Sequence, residues 1–232
     1  MNKSFLIQQL SSLAVALVIS FFIRLCYRWK TVGVGRRYST FWPRFWTGFV
    51  DASILWPVGL FASAYLVVDV PKIVAAALVI VGNLAWLFYT VLLHARYGQT
   101  IGKMVTKVRV VDFRTEGKIS VRQAWVREGI PLLLSVGGVI YEITLILDGR
   151  LNSKTIAGGD LFDNKWYWLA NSVSTLWFAA EVLTMLTNRK RRALHDFIAG
   201  TVVVRTNIDY GNTAPGKAQE PSPSTQAPAP VA

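Results

Sequence analysis

The chain has 232 residues, of which 53% are hydrophobic and only 16% charged, and its formal net charge is +12. That apolar share excludes an ordinary soluble domain and indicates one compact polytopic membrane protein. The positive charge lies between apolar runs, where it orients a membrane protein and is not a nucleic-acid footprint. The single cysteine, Cys26, excludes an intramolecular disulfide and a cysteine-rich metal centre.

The first apolar stretch, Phe5 to Ile23, follows Lys3 and is interrupted by Gln8, Gln9, Ser11 and Ser12. A signal peptide also opens this way, but Arg24, Arg28 and Lys30 follow where small residues would mark cleavage. Residues 1–30 therefore read as an uncleaved membrane anchor. The linker behind it carries Arg36, Arg37 and Arg44 with no acidic residue, which assigns it to the cytoplasmic side.

The second and third spans are expected at Phe45 to Val68 and Ile73 to Leu93, each near the ~20 residues that cross a bilayer. Arg44 and Asp51 are two helical turns apart, on one face and about 10 Å apart along the axis. Gly48 and Ala52 flank the carboxylate and would permit close helix approach. Pro43 suits the first turn, whereas Pro57 should kink the span. Trp42, Trp46, Trp86 and Tyr89 fall at the expected inner interface.

The connection from His94 to Glu128 carries Arg96, Lys103, Lys107, Arg109, Arg114, Lys118, Arg122 and Arg127. Within it, YGQTIGKM at Tyr97 to Met104 lacks the spacing of a phosphate loop and follows a membrane helix instead of a strand. We read it as a glycine-permitted turn leaving the membrane, with Lys103 at the headgroups. KVRVVD at Lys107 to Asp112 alternates as a short strand does, TEGK supplies a turn, and Ile119 to Arg127 reads as an amphipathic helix. TVVVRT at Thr201 to Thr206 is a second β-branched run, so residues 105–111 and 201–206 are expected to pair beneath the membrane and bring Asp196 near Arg44.

The last two spans are expected at Gly129 to Leu147 and Trp166 to Thr187. Glu142 should snorkel to the outer interface. Glu181 falls at nearly the depth of Asp51, where two carboxylates could share a proton or a cation. In the loop from Asp148 to Lys165, the spacing of Asp148, Asn152, Asp160 and Asp163 fits no calcium loop, so a solvated turn is expected, with Trp166, Tyr167 and Trp168 at the outer interface. His195 and Asp196 form a dipeptide seen in metal-dependent phosphohydrolases, yet His94 is the only other histidine. No metal, cofactor or catalytic pair is therefore expected. The tail Gly211 to Ala232, rich in Pro, Ala, Ser and Thr, is expected to be disordered.

The fold class is thus an all-α membrane bundle of about five transmembrane helices with a small cytoplasmic β element, N-terminus outside and C-terminus inside. Four segments, FWPRFWTGFVDASIL, YGQTIGKMVTKVRVVD, WVREGIP and RRALHDFIAGTVVVR, resemble the RDD family of bacterial membrane proteins. The resemblance runs from about Phe41 to Arg205, within a membrane domain of residues 41–206, and leaves the first span and the tail outside. The family's Arg and first Asp match Arg44 and Asp51, and its late Asp matches Asp196. It implies a bacterial inner-membrane protein of mostly unassigned activity, with cation/proton exchange ascribed to some relatives.

Two functions remain. In one, Asp51 and Glu181 handle a cation, proton or small solute, with Arg44 as counter-charge. In the other, the protein is a non-transporting assembly or accessory factor whose charges lock helices together. Its basic face would then meet anionic lipids or a partner membrane protein, a second copy included. An enzyme is not expected. Arg44, Asp51, Glu181, His195 and Asp196 are the candidate residues for either role.

Overall fold

A computed structural model describes residues 3–66, 68, 70–150 and 165–210. The expected outer loop falls mostly, and the proline-rich tail entirely, outside the described residues. Helices α1 (Lys3–Arg28), α2 (Phe41–Ala62), α3 (Lys72–Tyr97), α4 (Ile101–Val105), α5 (Val121–Leu147), α6 (Lys165–Thr187) and α7 (Leu194–Ala199) are joined by strands β1 (Val32–Gly33), β2 (Val108–Asp112), β3 (Thr201–Arg205) and β4 (Ile208–Asp209). Helix α3 packs against both α5 and α2, and α6 against α5.

Among the described residues, four helical stretches are long and apolar enough to cross a membrane: Gln9–Arg28, Phe41–Ala62, Lys72–Tyr97 and Val121–Leu147. The fifth expected span is a shorter apolar stretch, Ser172–Thr187, within α6. Large apolar side chains such as Phe21, Leu133 and Leu176 point out of the bundle. In water such a surface would drive aggregation; against hydrocarbon it costs nothing. The chain is an all-α polytopic membrane protein with small strand elements.

Two helices are bounded differently from the sequence reading: α2 runs Phe41–Ala62 against the expected Phe45 to Val68, and α5 starts well before Gly129. The expected amphipathic helix and the fourth span are one helix, α5, which begins at a capping box: Ser120 Oγ accepts from the Gln123 amide and Gln123 Oε1 accepts from the Ser120 amide. It continues through Pro131, and α2 continues through Pro57. Close approach also occurs elsewhere than expected. A Cβ on Gly48 would meet nothing within 4 Å, and Ala52 is exposed, whereas a Cβ on Gly82 of α3 would lie 2.7 Å from the Ala62 Cβ.

The expected β element forms. Strands β2 and β3 pair antiparallel, with Val108 opposite Arg205 and Asp112 opposite Thr201. Val108, Val110 and Val203 pack with Leu87 and Val91 of α3 and Ala124 of α5, while Val111, Val202 and Val204 pack against Tyr38 and Phe113 on the other face. Burial on both faces explains the unbroken valine run of β3. The ladder plugs one end of the bundle, and β1 pairs parallel with β4 beside it. Helix α1 is attached loosely; Ile23 is its one buried apolar side chain among those described, and Ser20 bonds to Ser53 of α2.

Candidate functional site

The charged residues converge at the end of the bundle where the ladder sits. Asp196, near the start of α7, has no exposed surface. Its Oδ2 lies 2.5 Å from Arg44 Nη1 and accepts from the Ala193 amide at 2.8 Å. Its Oδ1 accepts from Arg127 Nη1 and, at 3.2 Å, from Thr201 Oγ1. All four lone-pair directions of this carboxylate are filled. Burial alone would raise its pKa, but Arg127 and then Arg44 hold it well below the usual carboxylate range. Arg192 adds bonds from Nε to the Thr201 carbonyl and from Nη2 to the Asp196 carbonyl, both 2.9 Å. One side chain thus ties α2, α5, α7 and β3 together, and Arg44 and Asp196 meet as the strand pairing implied.

Asp51 serves a second clamp. It is buried, facing the interior as expected, but its partners are uncharged. Oδ1 accepts from Tyr89 Oη and the Gly102 amide, both 2.7 Å, and Oδ2 from Thr100 Oγ1 at 2.6 Å. The carboxylate therefore fastens the start of α4 to α2 and α3. Gly102 permits this, because a Cβ there would lie 2.5 Å from the Thr47 carbonyl oxygen and 2.8 Å from Asp51 Cγ. Thr47 and Thr106 bond through their hydroxyls at 2.7 Å on the next turn. Arg44, read from the sequence as a counter-charge on the face of Asp51, reaches toward α7 instead, while Asp51 reaches toward α4. A shared face sets direction, but the neighbouring elements decide partners.

Glu181 does not share a proton with Asp51 either; it bonds to His195 Nδ1. Arg44 Nη2 lies 3.2 Å from His195 Nε2, and a guanidinium can only donate. Nε2 is therefore the acceptor and Nδ1 carries the proton donated to Glu181. Burial, then Arg127, lowers the His195 pKa, consistent with this neutral tautomer.

Sequence reasoning missed a third group. His94 Nδ1 of α3 is 3.1 Å from Glu128 Oε1 of α5, and Arg127 Nε is 3.3 Å from the same oxygen. His94 is 1% exposed, and among the described residues neither ring nitrogen has a well-aligned hydrogen-bond partner. Lys103, expected at the headgroups, is partly buried, and burial lowers its pKa to about 8, with Arg127 acting in the same direction and Glu128 and Asp51 opposing it. The signal was present as REGIP with HAR, but nothing in the sequence aligns α3 with α5. Glu142 does not snorkel freely, since Tyr65 Oη donates to it at 2.7 Å. Among the described residues no group of three or more His, Cys, Asp or Glu is arranged to hold a metal ion.

The fold and this buried charge cluster define a polytopic membrane protein whose basic segments are clamped onto its helices by internal carboxylates. The sequence pattern of the RDD family matches residues 38–200, and the chain belongs to that family. It is 26% identical over 112 residues to a protein of Bacillus subtilis (strain 168) described as "Uncharacterized membrane protein YteJ", a match covering 46% of this chain and 68% of the relative. No solved structure matches.

Proposed function

We propose that this chain is a non-transporting scaffold of a bacterial inner membrane, with its N-terminus outside, its C-terminus in the cytoplasm and no catalytic activity. The observation that carries this reading is how fully the side chains of Asp51 and Asp196 are engaged by fixed donors. Asp196 has every lone pair engaged, by donors on α2, α5, β3 and the residue that precedes α7, and Asp51 accepts from three donors that hold a loop-borne helix. A carboxylate that carries ions must exchange partners, whereas these fix the basic segments as one platform for anionic lipid, a second copy or another membrane protein.

A proton-handling role is the second reading, and one observation favours it: the buried, incompletely bonded His94 beside Glu128. Purified protein in vesicles with Na⁺, K⁺ and Li⁺ gradients separates the two. The scaffold predicts no cation-dependent proton flux. Flux abolished by Asp51→Asn overturns it, and flux lost only in His94→Gln favours the second reading.

A further inference from the structure

A cavity of about 350 Å³ opens beside the charge cluster, between the end of α1, the start of α2 and the end of α6. Lys30, Arg36, Arg191 and Arg205 line it together with Trp42 and Leu186, and among the described residues no carboxylate does. Arg205 is the informative member. It is 6% exposed, and among the described residues its Nε has no hydrogen-bond partner and its guanidinium forms no ion pair. Its guanidinium has only a long Nη1 contact to the Thr106 carbonyl, 3.4 Å, and the face of Tyr27 at 5.5 Å. Buried charges are ordinarily paired, because an isolated one loses its hydration without recompense. Arg44 and Arg127 nearby obey that rule and Arg205 does not.

We propose that this cavity binds the phosphate of an anionic phospholipid headgroup, with Arg205 as its buried anchor and Lys30 and Arg36 as its exposed rim. The Arg205 guanidinium, without an ion pair among the described residues, supplies the charge and matches phosphate oxygens in geometry. The position selects a lipid over a soluble phosphate. The cavity lies at one end of two candidate spans and of α6, and Trp29 and Trp42 are exposed there, as aromatic side chains are at headgroup depth. Leu186 and Trp42 give the wall an apolar side for the upper acyl chain. This site refines the anionic-lipid partner proposed above, but binding in detergent does not depend on the orientation or on the absence of transport, so either reading can fail without the other.

The test is native mass spectrometry of the full chain from detergent, offered phosphatidylglycerol, phosphatidylcholine or inorganic phosphate. Wild-type protein should retain one phosphatidylglycerol in preference to phosphatidylcholine by about tenfold, on the scale of ~1 kcal/mol per basic residue. The double variant Lys30→Gln/Arg36→Gln, altered only at exposed positions, should lose that preference, and Lys118→Gln/Arg122→Gln, which removes equal charge elsewhere, should keep it. Arg205→Met should abolish retention; if it fails to fold, the exposed pair decides. Equal retention of the two lipids, or equal loss in both double variants, overturns the site in favour of diffuse attraction. Binding of inorganic phosphate as tight as that of phosphatidylglycerol overturns the lipid assignment in favour of a soluble phosphate.

Discussion

Asp196 illustrates how much a single buried carboxylate can organise. Replacing it with Ala would leave Arg44 and Arg127 buried without their anion, a situation that costs about 3–5 kcal/mol. We expect Asp196→Ala to collapse the folded fraction in a denaturing-detergent titration; a midpoint close to wild type would refute the clamp. Asp51 makes a subtler case. In Asp51→Asn the amide oxygen can keep the Tyr89 and Gly102 bonds while its NH₂ donates to Thr100, so stability should change little. Asp51→Leu strands the Gly102 amide and should cost about 1–3 kcal/mol. A severe loss in the Asn variant would show that charge, not hydrogen bonding, is what the site needs.

His195 adds a pH dependence at the same scale. Its folded pKa lies below the 6.5 of the unfolded chain, so the unfolded state binds the extra proton. The contribution is fully present above 6.5 and is lost as pH falls toward the folded value. Thermal midpoints should therefore drop on going from pH 7 to pH 5, and His195→Gln should shrink that drop. An unchanged slope in the variant would assign the effect to other groups.

At the scale of elements, α4 is the piece whose attachment depends most on shape. Five residues cannot form an independent helix, so α4 persists through the Thr100 cap, the Asp51 carboxylate and close contact with α2. Gly102→Ala must displace the Thr47 carbonyl or Asp51, an overpacking expected to cost about 1–3 kcal/mol. Gly48→Ala meets open space and should be neutral. If the two substitutions behave alike in a denaturing-detergent titration, the close approach at Gly102 is not structural. The β2–β3 ladder follows a different logic, since its valines are buried on both faces and its register returns α7 to α2 across more than a hundred residues.

For the whole molecule, the proposed orientation predicts that reporter fusions after Gly149 and after Tyr210 report opposite compartments, outside and cytoplasmic. Agreement between them would reverse the assignment of α6. The sequence by itself determined the membrane class, the approximate spans and the two strands of the β2–β3 ladder, because hydrophobic length and side-chain period are local properties. It could not determine which charge meets which. Arg44 and Asp51 share a helix face yet find different partners on α7 and α4; Glu128 meets His94 only because α3 and α5 align; Arg205 lines a cavity wall with no ion pair among the described residues. Burial makes each of these pairings strong, and burial is created by the packing of helices distant in sequence, so only the tertiary structure could decide them.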